Sequence, residues 1–431
     1  MLAFFMKAGI RGPRQTKDSY PSVCAYYHSR RLTMPNVTNQ SNKGLNDRLQ
    51  KKEEKEAKFC PENSLKKTRI KVAVLGASGL VGQHFVRLLV DHPLFELACL
   101  TSSEKNVGQR FKELAWPELF SPASLCPISS PLPEKIAHLV FQALDQNLPE
   151  KLKAENIQVV FSALPASVAA EFEPRLRSQG LAVFTNASAC RMFADVPVII
   201  PEVNAEHLAL VNCQKEKFGG FIVAGSNCCV AGLALTLKPL LTWGLKKVRL
   251  TTFQSISGAG FAGLRALDIH NNLIPFIKEE EQKIARETVK VLGYVYHQQI
   301  INNSFPLQAS CVRVPVRFGH LLEVEVEFQN VPSREEIIQR MVSFPGLAQP
   351  NLASAPEQPI VLLDEENRPQ PTYDLWMGTP ESARGMAVCL GRLRLTDNTL
   401  RYFVLTNNLI RGAAGNCLLA AELALSLGYL N

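Results

Sequence analysis

The chain has 431 residues, 46% hydrophobic and 20% charged, which is enough apolar material for a sizeable core spread over two domains and unlike a disordered polymer. Its formal charge of +8 is local: residues 1–70 carry 15 Lys and Arg against 6 Asp and Glu, so the remainder sums to about −1 and offers no basic nucleic-acid face. The 11 cysteines are scattered and form no CxxC pair, which argues against a disulfide framework or zinc knuckle and for a reducing, cytoplasmic setting.

In chain order, residues 1–66 mix Lys, Arg, Ser, Asn and Pro with no apolar period, and read as a disordered extension or as a start assigned upstream of Met34. Acidic residues from Asp18 onward argue against an organelle transit peptide, although import by this extension stays open. No run approaches the roughly 20 apolar residues of a membrane helix, so no membrane partner is expected. From Ile70 the texture changes. Ile70 to Leu75 reads as a strand, and Val81, Phe85, Leu88 and Leu89 recur at helical spacing behind it. Strand-like runs follow at Leu97 to Leu100, Val159 to Leu164, Ala182 to Phe184 and Phe221 to Ala224, alternating with helical segments. That alternation predicts an α/β, Rossmann-type dinucleotide-binding domain over 67–226. Beyond it the runs lengthen, at Val248 to Ser257, Leu307 to Val316, Leu321 to Phe328 and Met386 to Leu395, predicting an α+β domain over 227–404 with a mostly antiparallel sheet. Gly412 to Leu427 is rich in Ala and Leu, so residues 405–431 are expected to return as a helix to the first domain.

Two strand-to-helix turns carry chemistry. The first holds Gly76, Ala77, Ser78, Gly79, Leu80, Val81 and Gly82, a GxxGxxG spacing whose small residues let backbone N–H groups approach a pyrophosphate. A tight turn alone would also explain it. Ser102 and Ser103 near the end of the next strand, followed by Lys105, suit a 2'-phosphate and favour NADP over NAD. The second turn is Gly225-Ser226-Asn227-Cys228-Cys229. A thiol at a helix start is favoured as thiolate, and Asn227 with nearby backbone N–H groups could form an oxyanion site, while paired cysteines could equally pack as small apolar residues.

The order of five stretches, the second turn among them, settles how these turns are read. Ser226-Asn227-Cys228, Gln254 to Gly260, Glu279 to Ile284, Arg313 to Val316 with Gly319-His320, and Arg411 to Gly415 together resemble the aspartate-semialdehyde dehydrogenase family, its archaeal and fungal branch in particular. The resemblance spans residues 70 to 425 and implies reduction of L-aspartyl phosphate by NADPH through a thioester on Cys228. It implies that Gln254 orients the acyl group, that Arg313 holds the substrate carboxylate, and that His320 is the acid/base residue. Glu281 and Lys283 correspond to residues that contact the substrate ammonium and the phosphate, with a register open by one place in the run of three glutamates. Arg191 resembles the partner of Lys283 in binding phosphate. Ser162, Ala163, Ser257, Gly258 and Asn407 fall at cofactor contacts, Gly412 follows Asn407 in the same C-terminal motif, no metal is implied, and the family suggests a homodimer or homotetramer. Cys229 stands where relatives carry Thr or Ser. Competing expectations are N-acetylglutamyl-phosphate reductase, malonyl- or succinyl-CoA reductase, and an inactive paralogue that keeps the fold.

Overall fold

The computed structural model describes residues 69–121, 126–347 and 352–430; the predicted N-terminal extension lies outside them. Seven parallel strands form the first sheet: β1 Ile70–Leu75, β2 Phe95–Ser102, β3 Phe141–Ala143, β4 Val159–Ser162, β5 Ala182–Thr185, β6 Val198–Ile199 and β7 Phe221–Gly225. Their order is β3-β2-β1-β4-β5-β7-β6. The winding reverses between β1 and β4, which opens a crevice beyond their carboxyl ends. Buried on both faces, these strands read as continuous apolar runs: Val72, Ala73, Val74 and Leu75 of β1 are all fully covered. Helix α1, Leu80–Leu89, follows β1, and α2, Ala166–Ser178, follows β4.

Downstream strands build a six-stranded mixed sheet. Its strands are β8 Leu245–Gln254, β11 Leu307–Arg313, β12 His320–Phe328, β13 Ile360–Leu363, β14 Val388–Thr396 and β15 Thr399–Thr406, while β9 Tyr294–Tyr296 and β10 Gln299–Ile301 form a separate small hairpin between β8 and β11 in the chain. The order is β11-β8-β12-β15-β14-β13, with β12 antiparallel to both neighbours. In β12 the alternation is strict: Leu322, Val324, Val326 and Phe328 enter the core, while Glu323, Glu325 and Glu327 face outward. Glu325 pairs there with Arg249 and Arg401, and Glu327 with Lys246.

Three helices join the parts. Helix α3, Cys228–Leu237, starts directly after β7; α4, Glu280–Val291, lies against α3 and β11. Helix α5, Gly415–Ser426, packs on β5, β7 and α1, as the Ala/Leu-rich tail predicts, although the segment Ile410–Ala414 before it is wound as a π turn. Arg411 in that turn is fully buried and donates two hydrogen bonds to Glu202, at 2.9 and 2.6 Å, pinning the return of the chain. No helix among the described residues is long and apolar enough to cross a membrane.

Candidate active site

Strand direction brings the chemistry together. β8 and β11 run parallel with Gln254 opposite Arg313 at their last positions, and β12 runs the other way with His320 at its first. All three side chains therefore sit at one end of the six-stranded sheet. β7 delivers Cys228 to the same place from the first sheet, as the first residue of α3.

Asn227 caps α3: its Oδ1 accepts from the N–H of Cys229 at 2.8 Å and of Val230 at 3.4 Å. Its Nδ2 donates to Glu280 Oε1 at 2.9 Å, and its backbone N–H donates to Glu287 Oε2 at 2.6 Å. The Asn227 oxygen is thus spent on the cap and one of its two Nδ2 N–H groups on Glu280, which leaves the second N–H for the expected oxyanion role. Cys228 is half-buried, and Cys229 is fully buried. The Cys228 thiol is held well below its ordinary range, first by the S–H of Cys229 and, against the opposing push of burial, by neighbouring His320 and Arg191. Burial pushes Cys229 the other way and keeps it protonated.

The acidic run differs from its expected register. Glu280, not Glu281, stands between Asn227 and Gln254, accepting from Gln254 Nε2 at 3.1 Å. Glu281 instead accepts the Cys311 N–H at 3.1 Å, since one residue along a helix turns the side chain by about 100°. Desolvation first, and the Cys228 charge next, raise the Glu280 carboxyl. Lys283 is partly exposed and pairs with Glu279 at 3.2 Å. Arg191 is buried, donating to Glu287 at 3.0 Å and to the Asn186 carbonyl at 2.8 Å, while its Nε has no partner among the described residues. Glu287, which the sequence reading missed, thus ties Arg191 to the turn that carries the thiol. Arg313 donates to the Ser255 carbonyl at 2.7 Å. A β-carbon on Gly258 would lie 2.6 Å from Arg313 Nη1 and 3.3 Å from His320 Nε2, so this glycine keeps open the slot between them. Gly412 similarly clears the nucleophile, since a β-carbon there would meet Cys228 Cβ at 2.8 Å.

At the crevice, Gly76 has φ +71°, and a β-carbon on it would come within 2.9 Å of the Ala163 carbonyl oxygen. α1 begins without a side-chain cap. Ser78 Oγ meets Ser102 Oγ at 2.5 Å, while Ser103 is exposed beside them. Ala163 bonds Leu75 across the switch point at 2.9 Å, next to the buried Ser162. The turn Gly76 to Val81, with glycines at 76 and 79 and no side-chain cap, therefore presents backbone at a helix N-terminus in a way that fits a dinucleotide pyrophosphate. Asn407 is buried, its Oδ1 accepting the N–H groups of Leu409 and Ile410 at 3.1 Å, and it lines a cavity of about 120 Å³ with His84, Trp116 and Trp376.

Known proteins match over the same span. Residues 71–211 fit the family model of the semialdehyde dehydrogenase NAD-binding domain, and 237–411 that of the semialdehyde dehydrogenase dimerisation domain. The aspartate-semialdehyde dehydrogenase of Archaeoglobus fulgidus is 41% identical over 359 residues, covering 82% of this chain and 98% of that protein. The chain belongs to the aspartate-semialdehyde dehydrogenase family. The crystal structure of the Candida albicans aspartate-semialdehyde dehydrogenase with NADP superimposes with a TM-score of 0.71 at 34% identity, over 84% of this chain and 100% of that one. The NADP-dependent malonyl-CoA reductase of Metallosphaera sedula is 33% identical, covering 84% of this chain and 98% of that protein. The archaeal and fungal affinity of the motifs is thus borne out, as is the two-domain fold of this family.

Proposed function

We propose that the protein reduces L-aspartyl 4-phosphate to L-aspartate 4-semialdehyde with NADPH, releasing phosphate, through a thioester on Cys228. The observation that carries the reading is a thiol lowered in pKa at a capped helix start, faced by Gln254, His320 and Arg313 from a second sheet. Cys228 attacks the acyl carbon as thiolate, and Gln254 orients the carbonyl. Arg313 holds the α-carboxylate, with Glu280 rather than Glu281 on the ammonium side. Arg191 and Lys283 receive the departing phosphate, and the unpartnered Arg191 Nε supports that role. The cradle Gly76 to Val81, with Ser102, Ser103, Ser162, Ala163, Ser257 and Asn407 around it, would hold the dinucleotide. NADPH, when bound, supplies the hydride. His320 handles the charge at the thiohemiacetal oxygen until Cys228 is expelled and the aldehyde leaves.

The amino-acid phosphate is favoured over a CoA thioester by Arg313 and Glu280, a cation and an anion matched to a zwitterion. The scattered free cysteines support cytoplasmic residence, and the match to a dimerisation domain supports a homodimer or homotetramer. Oxidation of L-aspartate 4-semialdehyde, followed by NADPH absorbance with phosphate or CoA as acceptor, tests the reading. Phosphate-dependent NADPH formation is expected, and a rate seen only with CoA would overturn it. Arg313→Lys should lower kcat/KM for the semialdehyde about 100-fold by replacing a planar two-point donor with a point charge.

A further inference from the structure

The loop that carries Arg191 folds around a cation from another element. Lys290, in the last turn of α4, is buried, and its ammonium donates to three main-chain carbonyls of that loop: Arg191 at 2.6 Å, Phe193 at 2.9 Å and Val196 at 2.9 Å. An ammonium has no more than three N–H groups, so all of them are spent on this one segment and none is left for a substrate. Buried carbonyls need donors, and here three are served from a single point. The path of residues 191–196 is thus set by a side chain 99 positions further along the chain from Arg191.

The same helix grips the side chain of that arginine. Glu287, one turn before Lys290, accepts from Arg191 Nη1 at 3.0 Å and from the Asn227 N–H at 2.6 Å. Lys283, one turn earlier again, is the other cation of the proposed phosphate site. Residues seven apart on an α-helix fall within about 20° of one another, so Lys283 and Lys290 share a face of α4, with Glu287 about 40° round from Lys283. Helix α4 therefore carries one phosphate cation directly and fixes the second at two points, its main chain through Lys290 and its guanidinium through Glu287. Gln254 and Arg313 are held by the six-stranded sheet instead, independently of the loop.

We propose that Lys290 is a positioning residue for phosphate: by gathering the carbonyls of residues 191–196 it fixes the Arg191 guanidinium relative to Lys283. It thereby sets the affinity for the phosphate that leaves in reduction and attacks the thioester in semialdehyde oxidation. The proposal deepens the assignment of Arg191 and Lys283 made above and rests on it. With every N–H committed to the loop, Lys290 has no donor to offer the reacting atoms, and its influence reaches phosphate only through Arg191.

The full-length enzyme tests this in the direction of semialdehyde oxidation, with phosphate and L-aspartate 4-semialdehyde varied separately and NADPH absorbance followed. Lys290→Met keeps an unbranched stem and removes the donors. KM for phosphate should rise about tenfold, with kcat at saturating phosphate and KM for the semialdehyde within about twofold of the parent. Lys290→Gln keeps two N–H groups on a shorter stem, so it should give a smaller rise of about threefold, and it reads the same quantity where the methionine variant does not fold. A folded variant with an unchanged KM for phosphate would overturn the proposal. So would one in which both KM values rise alike, because a residue needed only for folding has no reason to single out phosphate. Arg191→Ala separates the proposal from the assignment beneath it. An unchanged KM for phosphate in that variant removes Arg191 from the phosphate site, whereas a rise there and none in the Lys290 variants sinks the role of Lys290 alone.

Discussion

Two turns in this molecule share one construction and differ in what they leave free. Both lead from a strand of the parallel sheet into a helix: β1 into α1 at Gly76–Leu80, and β7 into α3 at Gly225–Cys228. The first has glycines, no side-chain cap and a backbone too close to Ala163 for any side chain. The second spends the Asn227 side chain on capping and places a thiol at the first helical position. A helix start with open N–H groups suits an anion, and one whose donors are already satisfied instead positions and charges a nucleophile. The difference shows how one local fold is turned to binding or to bond-making by a handful of side chains.

Substitutions break the comparison most sharply at the thiol. Cys228→Ala should lower turnover by about 10⁴-fold or more while leaving the NADPH dissociation constant within about twofold, measured by steady-state rate and by nucleotide fluorescence titration. Restored activity through Cys229 would remove the distinction between the pair. At the other turn, Gly76→Ala forces a side chain into left-handed backbone and against the Ala163 carbonyl. It should raise KM for NADPH about 10- to 100-fold while the rate of Cys228 alkylation by iodoacetamide stays unchanged.

Asn227→Ala removes the cap and the contact to Glu280, and should cost about 1–2 kcal/mol in denaturant unfolding. The same variant should also shift the pH at which Cys228 becomes reactive, because the cap orients the turn that holds it. The smallest effect concerns Glu173, on α2 between the two turns, where burial raises the carboxyl to about 7 against the hydrogen bond from Thr185 Oγ1 at 2.5 Å. A folded pKa above the unfolded value means that the group favours folding below about pH 4.5 and that this contribution is lost as pH rises through 7. Glu173→Gln should therefore melt higher than the parent at pH 8, by about 1–3 kcal/mol of stability, with the gap closing near pH 5.

Much of this was legible in the sequence, and the failures are physical. Long apolar runs such as Val72–Leu75 announce strands covered on both faces, and the GxxGxxG spacing announces the cradle between β1 and β4. Cys228, Gln254, Arg313 and His320 come together because strand direction places them at one sheet end, which ordered motifs imply but spacing alone does not. The π turn Ile410–Ala414 was hidden inside an Ala/Leu-rich helix pattern, because local composition does not reveal that Gly412 must pass over Cys228. The choice between Glu280 and Glu281 stayed open by one place, since three consecutive glutamates offer no internal mark of helical phase. Glu287 and Lys290 carried no signal, because each acts through groups brought near by the fold: Arg191 and the Asn227 amide for one, the carbonyls of Arg191, Phe193 and Val196 for the other.

The central claim is that a single sulfur, that of Cys228, carries the acyl group. The most direct test mixes the enzyme with L-aspartate 4-semialdehyde and NADP in the absence of phosphate, records NADPH formed in the first turnover, and maps the quenched protein by peptide mass. One NADPH per subunit and an aspartyl thioester on Cys228 are predicted. A burst with the adduct on Cys229 or any other residue, or no burst and no adduct, would contradict the account.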